Sequence, residues 1–208
     1  QARQVTNWFE SGEISQKEFG GCHPKPAGHK AYGDMIDRLF DAAWVGPIPL
    51  STKPHQGARR YDRNSYEFAH FQSIDSAMVK SGWQKVENWQ GSGKGSVRKH
   101  DKGLDYLEAT EPGAELTVEF SGTAIGLPMV AGPDVGIIEW QVDGGEWKSL
   151  DQFTKWSKSL HIPWIYMLEK ELPPGEHTLT LRTTDQKNEM SIGYACRFSA
   201  FAVNGNKE

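Results

Sequence analysis

GIIEWQVDGGEWKSL, residues 136–150, is the stretch on which the reading of the fold turns. Ile138, Trp140 and Val142 alternate with polar neighbours, so one face of the segment is apolar and the other wet, which is the period of a half-buried strand. Asp143-Gly144-Gly145 supplies residues that tolerate the positive φ of a tight hairpin turn, and Trp147 begins the return strand.

Similar signals surround it. In LEATEPGAELTVEFSG (107–122) a Pro-Gly break precedes Leu116, Val118 and Phe120 on one face, with Thr117 and Glu119 on the other. EKELPPGEHTLTLRTT (169–184) turns at Pro-Pro-Gly and then sets His177, Leu179 and Leu181 against Thr178 and Thr180. YACRFSAFAVNG (194–205) supplies a last strand. Strands separated by turns, with no helices between them, exclude a parallel α/β sheet here. They predict a mainly β protein: a jelly-roll-like antiparallel β-sandwich over residues 81–205, preceded by a short helical segment.

That helical segment occupies residues 1–46. In GHKAYGDMIDRLFDAAW (28–44), Ala31, Tyr32, Met35, Ile36, Leu39, Phe40 and Ala43 recur at steps of three and four. Pro47 and Pro49 stop the helix. A lone amphipathic helix cannot bury its own stripe and must pack on something else. Residues 47–80 read as linker and lead-in: GPIPLSTKPHQGARRYDRNSY (46–66) is rich in Pro and Gly, and EFAHFQSIDSAMV (67–79) is ambiguous between strand and helix.

Composition narrows the function. The net charge of −4 and a basic cluster (Lys94, Arg98, Lys99, Lys102) diluted by Gly and Ser argue against nucleic acid as a partner. No apolar run is long enough to cross a membrane as a helix, and no secretory leader is visible at Gln1. Cys22 and Cys196 make no disulfide framework. His23 and His29, six apart with no third ligand close by, fit no metal spacing, and no cofactor is expected. GSGKGS (91–96) lacks the spacing of a phosphate loop and reads as a flexible turn.

GGCHPKPAGHKAYGDMIDRLF (20–40) resembles the last block of the SGNH (GDSL-type) esterases and acylhydrolases, in which Asp-x-x-His-Pro and a following Gly-His open the final helix of an α/β domain. His23-Pro24 and Gly28-His29 match it. The resemblance implies that His23 is the general base of an acyl-transfer triad in a carbohydrate-type ester hydrolase. The family's aspartate position is Gly20, leaving Glu18 as the available orienting acid. The nucleophilic serine block has no counterpart, so the expectation is an ester hydrolase's C-terminal portion. It would be inactive alone and partnered by an upstream SGNH catalytic domain that supplies the serine. Residues 81–205 resemble the β-sandwich modules attached to secreted carbohydrate-active esterases, which implies a glycan ligand and a secreted or periplasmic location.

DQFTKWSKSLHIPWIYMLEK (151–170) concentrates aromatic side chains among lysines. Trp156, Trp164 and His161 are the candidate substrate-binding residues, because rings stack on sugar faces. A non-catalytic carbohydrate-binding or protein-interaction sandwich is the alternative function. Carboxylate pairs for glycoside chemistry, Asp101 with Asp105 or Asp134 with Glu139, are available but not paired by the sequence.

Overall fold

The computed structural model describes residues 2–47, 51, 57, 62 and 65–205. Most of the Pro- and Gly-rich connector read at 46–66 lies outside the described residues. The chain divides into two compact units, residues 1–59 and 60–208.

The first unit holds α1 (Ala2–Ser11), α2 (Gln16–Phe19) and α3 (Pro26–Ala43). Its small core is aromatic: Trp8 and Phe19 are buried, and Phe19 meets Phe9 and Tyr32 edge to face at 5.5 and 5.4 Å. Ser15 and Glu18 form a reciprocal capping box on α2, and Pro26 at the first turn of α3 costs nothing because its missing N–H would be unpaired there anyway. The α3 stripe is only partly used within this unit. Ile36, Leu39, Phe40 and Trp44 are exposed, and Phe40 stacks on Trp44 at 4.6 Å.

The second unit is a mainly β, antiparallel sandwich, or half-barrel. Thirteen strands are assigned among its described residues: β1 (Ala69–Gln72), β2 (Met78–Ser81), β3 (Gln84–Val86), β4 (Ser96–Val97), β5 (Tyr106–Ala109), β6 (Glu115–Gly122), β7 (Ala124–Ala131), β8 (Ile137–Val142), β9 (Lys148–Asp151), β10 (Leu160–Glu169), β11 (Gly175–Thr183), β12 (Cys196–Phe198) and β13 (Phe201–Asn204). One sheet runs β2-β6-β11-β8-β9. The other runs β1-β13-β7-β12-β5-β3, with β10 on the far side of β7 and β4 beside β10. Pairing is antiparallel except between β4 and β10.

The alternation read from sequence is what fills the space between the sheets. Leu116, Val118, Ile138, Leu179 and Leu181 are wholly buried, and they meet Ile125, Leu127, Met129, Phe198 and Phe201 from the facing sheet. Asp143 and Gly144 hold φ of 53° and 70° in the β8–β9 turn, as the hairpin reading requires. The last predicted strand is broken at Ser199 into β12 and β13, and the ambiguous stretch at 67–79 supplies edge strands of both sheets, β1 and β2.

Candidate functional site

The outward face of the eight-stranded sheet is divided in two. On β5, β12 and β7 the residues alternating with the core ones are Tyr106, Glu108, Arg197 and Val130, and all point away from the sandwich interior. The chain between β3 and β5 folds back over them. Trp89 is buried there against Tyr106 at 5.4 Å and against the His161 ring at 5.3 Å. This makes a second, smaller core of Trp89, Tyr106 and Val130.

A buried charge cluster sits in that covered half. Arg197, 2% exposed, donates Nη1 to Asp134 Oδ1 at 3.1 Å and Nη2 to Asp134 Oδ2 at 3.0 Å, and it donates Nε to Glu108. Burial alone would raise the pKa of Asp134. The hydrogen bonds from His161 and Arg197 outweigh it and hold that carboxyl well below the usual range. Burial, with Asp101 nearby, pushes the Tyr106 hydroxyl up to about 12. Asp134, Arg197 and Tyr106 are thereby held in their ordinary charge states, and the cluster builds structure.

Ser92, His161 and Asp134 have the residue types of a hydrolytic triad without its geometry. His161 Nδ1 donates to the Ser96 carbonyl at 3.3 Å. Ser92 Oγ at 3.2 Å and Asp134 Oδ1 at 3.4 Å both face the other nitrogen, Nε2. A triad needs acid and nucleophile on opposite nitrogens, so that the ring can pass a proton between them. His161 is also 1% exposed, and Gly132 lies so close to its ring that any side chain there would strike it. His161 therefore pins the start of β10 to the 132–136 and 91–96 loops.

The other half of the same face is bare. A row runs across four strands: Phe71 on β1 pairs with Ala202 on β13, Ala202 with Gly126 on β7, and Gly126 with Met167 on β10. Large side chains stand at both ends and small ones in the middle, so the row forms a groove of about 320 Å³, walled by Phe71, Ile165 and Met167 with Tyr66 at its end. Gly126 is required: a Cβ there would come within 2.6 Å of the Tyr166 carbonyl oxygen and 2.8 Å of Met167 Sδ. Phe71 and Ile165 are 68% and 56% exposed. Beside the groove, and sharing Tyr66 and Asn204 with it, lies a polar depression of about 290 Å³ that includes Asp62, Lys170 and Glu171. Asn204 itself is satisfied, accepting from Phe68 N–H and donating to Thr123 Oγ1.

The candidates named from sequence are scattered. Trp156 stands in the β9–β10 turn, 55% exposed, with Lys155 Nζ 4.7 Å over its ring. Trp164 pairs with Met129, which puts it on the core side of β10, yet it stays 44% exposed because the far edge of β10 has no partner strand beyond His161 among the described residues. His23 is exposed, and its ring makes no hydrogen bond or ion pair among the described residues. The Glu18 carboxylate accepts from Ser15 N–H and Oγ at 3.0 and 2.6 Å, which lowers its pKa and commits it to the helix cap. Gly28 is explained by packing, since a Cβ there would lie 2.5 Å from the Phe19 carbonyl oxygen. Asp134 and Glu139 do not assemble as a pair either: Asp134 belongs to Arg197, and Glu139 accepts from Arg182 on the other sheet at 2.8 Å. Cys22 is exposed and Cys196 buried, both as free thiols. No group of three His, Cys, Asp or Glu fit to hold a metal occurs among the described residues. The groove residues Phe71, Ile165 and Met167 escaped the sequence reading. The signal available was the alternation in HIPWIYM (161–167), whose second face, Pro163, Ile165 and Met167, is as apolar as the first.

No model of a known protein family matches the chain, and no curated protein sequence matches it. Among solved structures, a two-domain esterase (CEX) active on acetylated mannans is similar with a TM-score of 0.68, at 15% identity, over 98% of this chain and 54% of that one. The same esterase co-crystallised with mannopentaose gives 0.67 at 16% identity, over 98% and 53%. At such identity the likeness establishes the fold, and this chain spans about half the length of those structures. These findings correct the SGNH resemblance. The fold is a mainly β half-barrel jelly roll of the kind found in a carbohydrate esterase, not the α/β/α fold of the SGNH family. A chain fragment supplying the base of that family's triad is accordingly set aside. Within the local match at residues 20–40, Gly28 has a packing reason that is independent of any catalytic role.

Proposed function

We propose that this chain is a non-catalytic, glycan-binding β-sandwich with a helical preface, and that it works as one part of a larger carbohydrate-active protein. The carrying observation is a contrast in how side chains are used. The charged groups buried in the covered half of the sheet are tied into structural pairs, while large aromatic side chains are left to water: Trp156, Trp164 and Trp147, the last stacked 3.8 Å under the Arg182 guanidinium. Exposed aromatic faces backed by a rigid sheet are what sugar rings stack on. The likeness to an esterase active on acetylated mannans supports the same choice of ligand, and its two-domain make-up supports a neighbouring domain. The exposed apolar end of α3, with Ile36, Leu39, Phe40 and Trp44, is the surface on which such a domain would rest, since patches of that kind seldom face water without a partner. A polysaccharide ligand carries with it a secreted or periplasmic place of action, which cell fractionation tests.

The test is titration calorimetry of the full chain with mannopentaose, together with an assay for release of acetate from acetylated mannan. Binding without acetate release is the expected result. Trp156→Ala is expected to weaken binding ~5-fold, the effect of losing one stacked ring. No binding to any glycan tested, or acetate release by this chain alone, overturns the proposal.

A further inference from the structure

The groove on the bare half of the eight-stranded sheet is the wrong chemistry for an unmodified sugar. A plain hexose carries hydroxyls around its whole rim. Against Phe71, Ile165, Met167 and Ala202, those hydroxyls would lose water and gain few partners. Yet the concavity is at the lower end of the ~300–1,000 Å³ typical of small-ligand sites. A polar depression adjoins it, sharing Tyr66 and Asn204. In that depression Lys170 and Glu171 are exposed and make no hydrogen bond or ion pair among the described residues, so an ammonium and a carboxylate are available to a ligand. Glu171 holds φ at +60°, an uncommon conformation that fixes how the turn presents these two side chains.

The geometry points to an acylated glycan as the occupant: acetyl groups of an acetylated oligosaccharide lie in the apolar groove on Ala202, between Phe71 and Ile165, while the hydroxyls of the same sugars reach Lys170 and Glu171. This rests on the glycan-binding function proposed above and adds to it a location and a selectivity. Apolar floor and polar end together match a ligand that is apolar at its substituents and polar at its ring, and each half of the site excludes the other half's occupant.

The experiment compares the Kd of the full chain for acetylated and chemically deacetylated mannopentaose, in the wild type, in Phe71→Ala and in Ala202→Trp, which fills the floor. Phe71 is exposed and Ala202 half-buried on the outward face, and circular dichroism and the melting midpoint establish that each variant is folded. A preference for the acetylated sugar of ~10-fold is expected in the wild type, the size that follows from burying a few methyl groups. Both variants should lose that preference while still binding the deacetylated sugar. Equal affinity of the wild type for both sugars overturns the inference and leaves glycan binding intact. A preference that survives in both variants also overturns it, by moving the acyl site elsewhere. Failure to bind either sugar overturns the glycan-binding function itself. Self-association of the wild type that Ala202→Trp abolishes makes the groove a protein interface and overturns the inference as well.

Discussion

Arg197 holds Asp134 by two near-parallel hydrogen bonds, Nη1 to Oδ1 at 3.1 Å and Nη2 to Oδ2 at 3.0 Å, with both side chains under 5% exposed. This fork ties the β7–β8 loop to β12 beneath the chain that covers half the sheet.

Removing one partner from such a pair leaves a buried charge uncompensated. Arg197→Leu is expected to cost ~3–5 kcal/mol in urea denaturation, because it strands Asp134 and Glu108 together. Since the Arg197 guanidinium lies 5.7 Å from the Trp89 ring centre, loss of the pair should also shift tryptophan fluorescence in the native state. A variant within ~1 kcal/mol of the wild type would mean that the cluster is not a structural clasp.

His177 and Asp143 set a pH dependence of their own. Burial would lower the His177 pKa, but its 2.6 Å bond to Asp143 and its bond to the Pro173 carbonyl outweigh that and raise it. The bonds from His177 and Thr178 N–H lower the Asp143 pKa. The histidine's contribution is therefore fully present below the ordinary imidazole value of ~6.5 and is lost as pH rises through the raised one. The aspartate's is present above ~3.9 and is lost as pH falls through the lowered one. The melting midpoint of the wild type should fall from pH 6 toward pH 8 relative to that of Asp143→Asn, and NMR titration of His177 should move toward the ordinary value in the variant. Parallel pH profiles would remove the pair from any role in stability.

Gly28 and His23 separate packing from chemistry in the first unit. Gly28→Ala is expected to destabilise by ~1–3 kcal/mol, because its new methyl must displace the Phe19 backbone and the Pro24 ring. His23→Ala should leave the melting midpoint unchanged, as an exposed ring that makes no hydrogen bond or ion pair among the described residues has little to lose. The reverse order would give His23 a role the structure does not account for.

The two cysteines should react at very different rates. Cys22 is exposed, whereas Cys196 is wholly buried and burial raises its pKa far above the ordinary thiol range. Titration with a thiol reagent should label one sulfur promptly in the folded chain and the second only with unfolding. Prompt labelling of both would mean that β12 opens readily.

The sandwich was legible because its strands carry their own instructions. Ile138, Trp140 and Val142 could face a core only as a strand, and Asp143-Gly144 could turn only as a hairpin. The site was much less legible. Trp156 stood out as an aromatic among lysines, and it is indeed left to solvent. His161 stood out just as strongly and is sealed in, because its surroundings, Ser92, Asp134 and Trp89, come from 27 to 72 residues away in the chain. Phe71, Gly126, Met167 and Ala202 gave no joint signal at all.

What the sequence determined by itself is periodic and local: which residues alternate, where the chain turns, which helix is amphipathic. Such properties depend on backbone geometry over a few neighbouring residues. What only the tertiary structure decided is which outward faces are covered and which stay bare. Strand order places β1, β13, β7 and β10 side by side, and that order brings Phe71, Ala202, Gly126 and Met167 into one row from positions as far apart as 71 and 202. The same pairing rules put Arg197 opposite Glu108 and bury both under a loop. Register between distant strands is set by how all the apolar faces close together on a common core, so no short stretch of sequence contains it.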